Sequence, residues 1–262
     1  MARPVIAFLT DFGTRDHYAG TMKGVALGIC PDATLVDISH DVPQHDVLAG
    51  ALELAAAYKY FPAATIFLVV VDPGVGSARR GIAAEAGDYR FVAPDNGVLT
   101  LALDEHPPKK VVELSERRYA RATVSRTFEG RDRFAPAAAW LAKGVELSAL
   151  GRPAGPVARL DVPQPSVGDD RIDGQVLRVD RFGNLISNID RRTFEKLGST
   201  LEIRVGDREI SKVVSTYADA EPAAICALFG STDHLEIAVN GASASEALAL
   251  GRGAAVRVVR RA

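Results

Sequence analysis

The chain has 262 residues, 47% of them hydrophobic and 24% charged, with a formal net charge of -2. That is apolar material enough for one large domain or two modest ones, and the near-even charge excludes the broad basic field of a nucleic-acid binder. The two cysteines, Cys30 and Cys226, are too few and too far apart for a disulfide framework and fit a cytoplasmic chain; no run approaches the roughly 20 apolar residues of a membrane span.

The N-terminus moves straight into strand-like sequence, without the apolar core and small-residue cleavage site of a signal peptide. Pro4 to Leu9 reads as a strand ending at Thr10-Asp11-Phe12-Gly13, and Tyr18 to Ile29 follows with helical spacing until Cys30-Pro31 stops it. Thr34 to Ile38 is a second strand, and Val47 to Tyr58 a helix capped by Asp46. Thr65 to Val71 is almost entirely apolar, as expected of a strand covered on both faces of a parallel sheet. Strand patterns recur at Ile82 to Ala84, Arg90 to Ala93 and Lys110 to Leu114; Gly97 to Leu103 and Arg133 to Lys143 read as helices. Alternating strands and helices predict a three-layer α/β domain with a mostly parallel sheet, and ligands of such sheets gather at the carboxyl ends of strands, where this reading places Asp11, Asp37 and Asp72.

From Arg152 to Asp173 the composition turns proline-rich, the mark of a connecting segment. Short alternating segments then run from Gly174 to Val179, Leu185 to Asn188, Leu201 to Val205, Ile225 to Phe229, Leu235 to Val239 and Ala254 to Arg260, predicting a small all-β barrel or sandwich. The expected division is an α/β domain over 1–155, a linker over 156–172 and a β-barrel-like domain over 173–262.

The stretch Val69-Val-Val-Asp-Pro-Gly-Val-Gly-Ser-Ala-Arg79 ends a buried strand in a carboxylate and turns through glycines to an arginine. Taken alone, Asp72 is a turn residue and Arg79 half of a surface ion pair of little worth. The alternative is a guanidinium folded back on the carboxylate, holding a water or an anion. The spacing is not that of a phosphate-binding Gly-Lys-Ser/Thr loop. Asp11 suits a ribose diol, since one carboxylate accepts from two hydroxyls; Asp16 and Tyr18 nearby have helix capping and packing as their plain reading. In Thr127-Phe-Glu-Gly-Arg-Asp132 the plain reading is a solvated helix start capped by Asp132, and the functional one puts Glu129 beside a reacting group. Val179-Asp-Arg-Phe-Gly-Asn-Leu-Ile-Ser-Asn188 offers an aromatic to stack on a base and amides to read its edge. The five histidines have no metal-ligand spacing and no nucleophile elbow is present, so neither metal nor cofactor is expected.

As an ordered set, LTDFGTRDHYAGTMKG, DISHDVPQHD, VVVDPGVGSARR, APDNGVLT, TFEGRDRFAPAAA, VDRFGNLISNI and GSTDHLEIAVNGASA resemble the S-adenosylmethionine hydrolases (SAM hydroxide adenosyltransferases), relatives of the fluorinases and chlorinases. The resemblance spans nearly the whole chain. It implies an α/β N-terminal and a smaller β C-terminal domain. It also implies a homotrimer binding substrate where one subunit's N-domain meets the next subunit's C-domain. The chemistry it implies is displacement of methionine from ribose C5′ by water, giving adenosine. On that resemblance Asp11 matches the ribose-diol acid, and Asp72 and Arg79 the pair that orients the water. Asp180, Phe182 and Asn184 match the loop that holds the methionine ammonium and the adenine, Ser231 a methionine contact, and Val239, Asn240 and Gly241 a segment reading adenine through its backbone. The halogenases carry a tyrosine where Asp72 stands, so a halide transferase is the disfavoured alternative; a carboxylate there repels halide and accepts a water proton. The hydrolases commonly show a histidine after Thr-Phe, and this chain has Glu129. If that change marks lost chemistry, the remaining alternative is a non-catalytic adenosine or S-adenosylmethionine binding protein.

Overall fold

The computed structural model describes residues 3–198, 201–210 and 212–260. The chain divides into two compact units, Met1–Asp161 and Val162–Ala262.

In the first unit the elements run β1 (Val5–Thr10), α1 (Tyr18–Ile29), β2 (Thr34–Ser39), α2 (Val47–Ala57), β3 (Ile66–Val70), β4 (Gly81–Ala86), β5 (Tyr89–Pro94), α3 (Thr100–Glu105), β6 (Pro108–Glu113) and α4 (Ala135–Ala142). They build one six-stranded sheet in the order β2-β1-β3-β5-β4-β6. β2, β1, β3 and β5 pair in parallel, but β4 is antiparallel to both β5 and β6. The sheet is mostly parallel, as expected from sequence, and is mixed only through β4, which runs against the other five strands. The cause is local: β4 and β5 are joined by a hairpin whose turn begins at Gly87, with φ of +55°, so no helix crosses over between them.

Side chains alternate across the sheet and divide the core in two. Ile6, Phe8, Leu68 and Val70 pack against Met22 and Ala26 of α1 and Ala135, Ala138 and Ala139 of α4. Ala7, Leu9, Phe67 and Val69 face the other way, against Leu54 of α2 and Ala102 and Leu103 of α3. Helices thus cover both faces, which is why β3 is buried throughout and reads as an unbroken apolar run. Asp46 caps α2 by accepting from the Ala49 N–H at 3.0 Å. A π-helical turn, Gly130–Phe134, leads directly into α4.

The second unit comprises β7 (Ser166–Val167), β8 (Arg171–Val179), β9 (Leu185–Asp190), α5 (Arg191–Glu195), β10 (Leu201–Val205), β11 (Arg208–Ile210), β12 (Ile225–Phe229), β13 (His234–Val239), α6 (Ala244–Leu248) and β14 (Ala255–Arg260). Its strands pair antiparallel in the order β11-β10-β14-β8-β9-β13-β12, with β7 beside β8. Val213 bridges to Ala227 of β12, so the sheet nearly closes on itself around Ile172, Val176, Leu185, Ile203, Ile237 and Val258. Among the described residues no helix is long and apolar enough to cross a membrane, and no group of three or more His, Cys, Asp or Glu is placed to hold a metal ion.

Candidate active site

The strand ends of the first unit open into a cavity of about 320 Å³, the position where α/β sheets present ligand-binding groups. Asp11, Phe12, Asp16, Tyr18, His45, Asp72, Phe128 and Glu129 line it. Asp11 follows β1 directly; its Oδ2 accepts the His45 N–H at 2.9 Å. His45 holds a φ of +65° to present that N–H, a conformation costly for a residue with a Cβ. Phe12, Tyr18 and Phe128 form an aromatic corner, with Phe12–Tyr18 centroids 5.8 Å and Tyr18–Phe128 centroids 5.1 Å apart.

Asp72 stands one residue beyond Val71, and its backbone carbonyl opens the turn by accepting the Val75 N–H at 3.2 Å. The plain reading of Asp72 as a turn residue is thus correct as far as it goes. The turn is tight because Gly76, at φ of +77°, lies under the Arg126 carbonyl; a Cβ there would fall 2.5 Å from that oxygen. It delivers Arg79 back onto Asp72 as a fork: Nε donates to Oδ1 at 2.8 Å and Nη2 to Oδ2. Arg79 also lies across the Phe134 ring, 5.2 Å from its centroid. Glu129, fifty positions from Arg79 in sequence, closes the cluster from the π-helical turn, its Oε2 2.8 Å from Arg79 Nη2 and 3.9 Å from Arg133 Nη1.

The three side chains are at least nine-tenths buried, at 5% exposure for Asp72, 9% for Arg79 and 10% for Glu129, so this is no surface ion pair. Arg79 Nη1 is buried with no hydrogen-bond partner, and Glu129 Oε2, although ion-paired with Arg79 Nη2 at 2.8 Å, receives no well-aligned hydrogen bond. A buried donor left unsatisfied is costly. Burial pushes the Asp72 carboxyl up, and the neighbouring Glu129 charge adds to the push against the opposing pull of Arg79. Burial opposes the Arg79 charge, but the bonds and charges of both carboxylates outweigh it.

In the second unit a larger cavity of about 890 Å³ is lined by Arg178, Asp180, Phe182, Asn184, Tyr217, Ser231, Glu236, Val239 and Gly241. Asp180 organises its rim: Oδ1 accepts from the Phe182 and Asn184 N–H groups at 2.9 and 2.8 Å, and Oδ2 from Asn184 Nδ2 at 3.0 Å. Phe182, 77% exposed, offers its ring to solvent. The Asn184 side chain is buried, with one amide hydrogen already spent on Asp180. Asn240 is not a lining residue; its Nδ2 donates to the Ala220 carbonyl at 2.7 Å.

Asp37 departs from its expected place. It lies inside β2 and not at the cavity, paired with Lys23 and His40. Nor is Asp132 a helix cap: it is fully buried, accepting from Arg131 and from the Ser125 N–H. Sequence reasoning passed over Phe12, His45 and Phe128 in the first cavity, and Tyr217 and Glu236 in the second. Glu236 carried a legible signal, an acid within the apolar run Leu235–Val239. It is 5% exposed and accepts the Tyr217 hydroxyl at 2.5 Å. Burial, helped by the charge of Asp180, raises its proton affinity.

Residues 6–151 match the family model for the SAM hydroxide adenosyltransferase N-terminal domain, and residues 174–257 that for the C-terminal domain. The chain belongs to the SAM hydroxide adenosyltransferase family. An (R)-S-adenosyl-L-methionine hydrolase of Salinispora tropica is 40% identical over 258 residues, covering 97% of each chain. One from Thermus thermophilus is 40% identical over 266 residues, covering 98% of this chain and 100% of its own. The crystal structure of an uncharacterized conserved protein from Thermotoga maritima matches this SAM hydroxide adenosyltransferase fold with a TM-score of 0.92 at 37% identity, over 97% of this chain and 100% of that one.

Proposed function

We propose that the chain hydrolyses S-adenosyl-L-methionine to adenosine and L-methionine by attack of water at ribose C5′. The observation that carries the chemistry is the buried Asp72–Arg79–Glu129 cluster, in which Arg79 Nη1 still has an N–H to give. A water bound there accepts from Arg79 Nη1 and donates to the Glu129 and Asp72 carboxylates, leaving a lone pair for carbon. Asp72, raised in proton affinity, receives the proton as the C5′–O bond forms and the C5′–S bond breaks, its electron pair passing to sulfur. The sulfonium is already a good leaving group, so no cofactor is invoked, and the rate comes from aligning oxygen, carbon and sulfur in a site closed to bulk water.

In this reading Asp11 accepts from the ribose hydroxyls, with Asp16 and Tyr18 at the cavity wall. Asp180, Phe182, Asn184, Ser231, Val239 and Gly241 hold the methionine and adenine ends. Asn240 contributes only backbone. The homotrimer and the site shared between neighbouring subunits belong to the same proposal, and the mass in solution checks them. Two dispersed, buried cysteines fit a cytoplasmic enzyme.

Incubation with S-adenosyl-L-methionine in ¹⁸O-water tests the reaction. The label is expected in the 5′-hydroxyl of the released adenosine. Label in any other position, or binding without turnover, overturns it. Added chloride is expected to yield no 5′-chloro-5′-deoxyadenosine, since two carboxylates face the nucleophile position.

The pH dependence has a defined sign. Asp72 works as a carboxylate, so kcat/KM falls as pH drops through its raised pKa, above the ordinary aspartate range. Because the Glu129 charge helps raise that pKa, Glu129→Gln is expected to shift the acid limb to lower pH in the residual activity. A limb that stays or moves up in this variant removes Asp72 as the proton acceptor.

A further inference from the structure

Behind the first cavity lies a chain of polar groups that the reaction does not use. Thr10, at the end of β1, is fully buried, and its hydroxyl lies 2.8 Å from Nδ1 of His40, itself 5% exposed. The other ring nitrogen, Nε2, lies 3.0 Å from Oδ1 of Asp37, and Lys23 Nζ of α1 donates to Asp37 Oδ2 at 2.6 Å. Burial works against the Asp37 charge, but the bonds from Lys23 and His40 outweigh it and hold its pKa down. Asp37 is therefore an acceptor, Nε2–H donates to it, and Nδ1 shares the second bond with the Thr10 hydroxyl. The pairing of β1 with β2 shifts register beside this point, between Phe8 and Leu9.

The chain ends at the two turns that carry Asp11. The Thr10 hydroxyl accepts the Phe12 N–H at 3.3 Å, the His40 carbonyl accepts the Gly13 N–H at 2.7 Å, and the Thr10 carbonyl accepts the Val42 N–H at 3.4 Å. The turn after β1 is thereby tied to the segment after β2, which bends back so that the His45 N–H grips Asp11. Replacing the imidazole with an apolar group would strand a fully buried hydroxyl in the core and release that tie.

We propose that His40, braced by Asp37 and Lys23 and bonded to Thr10, is a positioning residue that fixes the two turns clamping Asp11, and through Asp11 sets where the ribose, and with it C5′, lies relative to the water. This rests on the reading of Asp11 as the ribose acid. A displaced ribose misaligns the in-line attack, so both kcat and KM respond.

The test is a double-mutant cycle of His40→Ala and Asp11→Ala, run with S-adenosyl-L-methionine and with its analogue lacking the ribose 2′ and 3′ hydroxyls. His40→Ala is expected to lower kcat/KM about 10- to 100-fold on the natural substrate. It should add nothing to Asp11→Ala and leave the analogue's rate unchanged. His40→Asn, whose amide nitrogen falls near Nδ1, is expected to recover part of the loss. Asp37→Asn perturbs the chain from its half-exposed end without opening the core. It serves if His40→Ala does not fold, and should show the same dependence on the ribose hydroxyls. Losses that multiply across the cycle, or fall equally on both substrates, overturn the positioning role while leaving the Asp11 reading intact. Full activity in Asp11→Ala overturns both.

Discussion

Asp72→Asn is expected to lower kcat for hydrolysis of S-adenosyl-L-methionine roughly 1,000-fold, within the range for loss of a positioned general base, while Kd for the substrate changes far less. The substitution is nearly isosteric, so the cavity keeps its shape. It removes the proton acceptor and replaces one of the two oxygens facing Arg79 with an NH₂ group that opposes the guanidinium. Some affinity is lost with the negative charge, because the substrate carries a sulfonium, but that interaction is shared by ground and transition states. Single-turnover adenosine release gives the chemical step, and calorimetric titration gives Kd. Equal losses in both would mean that Asp72 only binds and does not aim the water.

The sequence legibility of this site follows from how local its contacts are. Tyr18–Ile29 and Leu201–Val205 fall where periodicity places them, because each buries a regular stripe of apolar residues, and Ile225–Phe229 is legible as a short continuous apolar run. β11 has three residues, two of them charged, and α5 and α6 have five each, too short for any period to emerge. The Asp72–Arg79 fork spans seven residues across a glycine turn, and local stereochemistry suffices to anticipate it. Glu129 lies fifty positions further on, and only the packing of the π-helical turn beside the sheet brings it to Arg79. The same holds for Asp37: a strand-end acid in sequence, it is turned to Lys23 and His40 by side-chain partners no linear pattern encodes. Asn240, matched only as part of a segment reading adenine through its backbone, has its side-chain amide spent on the Ala220 carbonyl, which leaves that backbone reading untouched.

Arg79→Met is expected to abolish hydrolysis and to destabilise the fold by about 3–5 kcal/mol at neutral pH, the usual consequence of removing one partner from a buried ionic group. Methionine fills much of the volume and keeps the contact with the Phe134 ring, so the loss is electrostatic. It strands Asp72 and Glu129 together, both nearly inaccessible to water, with Arg133 the remaining cation at 3.9 Å from Glu129. The sign of the pH dependence identifies the cause. The Asp72 carboxyl is already raised by burial and the Glu129 charge against the pull of Arg79, so losing the guanidinium raises its folded-state pKa further above the unfolded one and protonation favours the folded state. The resulting stability is present at low pH and lost as pH rises through that folded pKa. The gap in unfolding free energy between the wild-type chain and Arg79→Met, followed by denaturant titration, is therefore expected to narrow as pH is lowered from about 8 to about 5. A gap constant with pH would show that solvent reaches the carboxylates and that the cluster is not the dry site the mechanism requires. Arg79→Lys separates charge from geometry: a single ammonium restores part of the stability. It lacks the planar fork that spans both Asp72 oxygens and still points a free N–H at the water, so hydrolysis is expected to stay low.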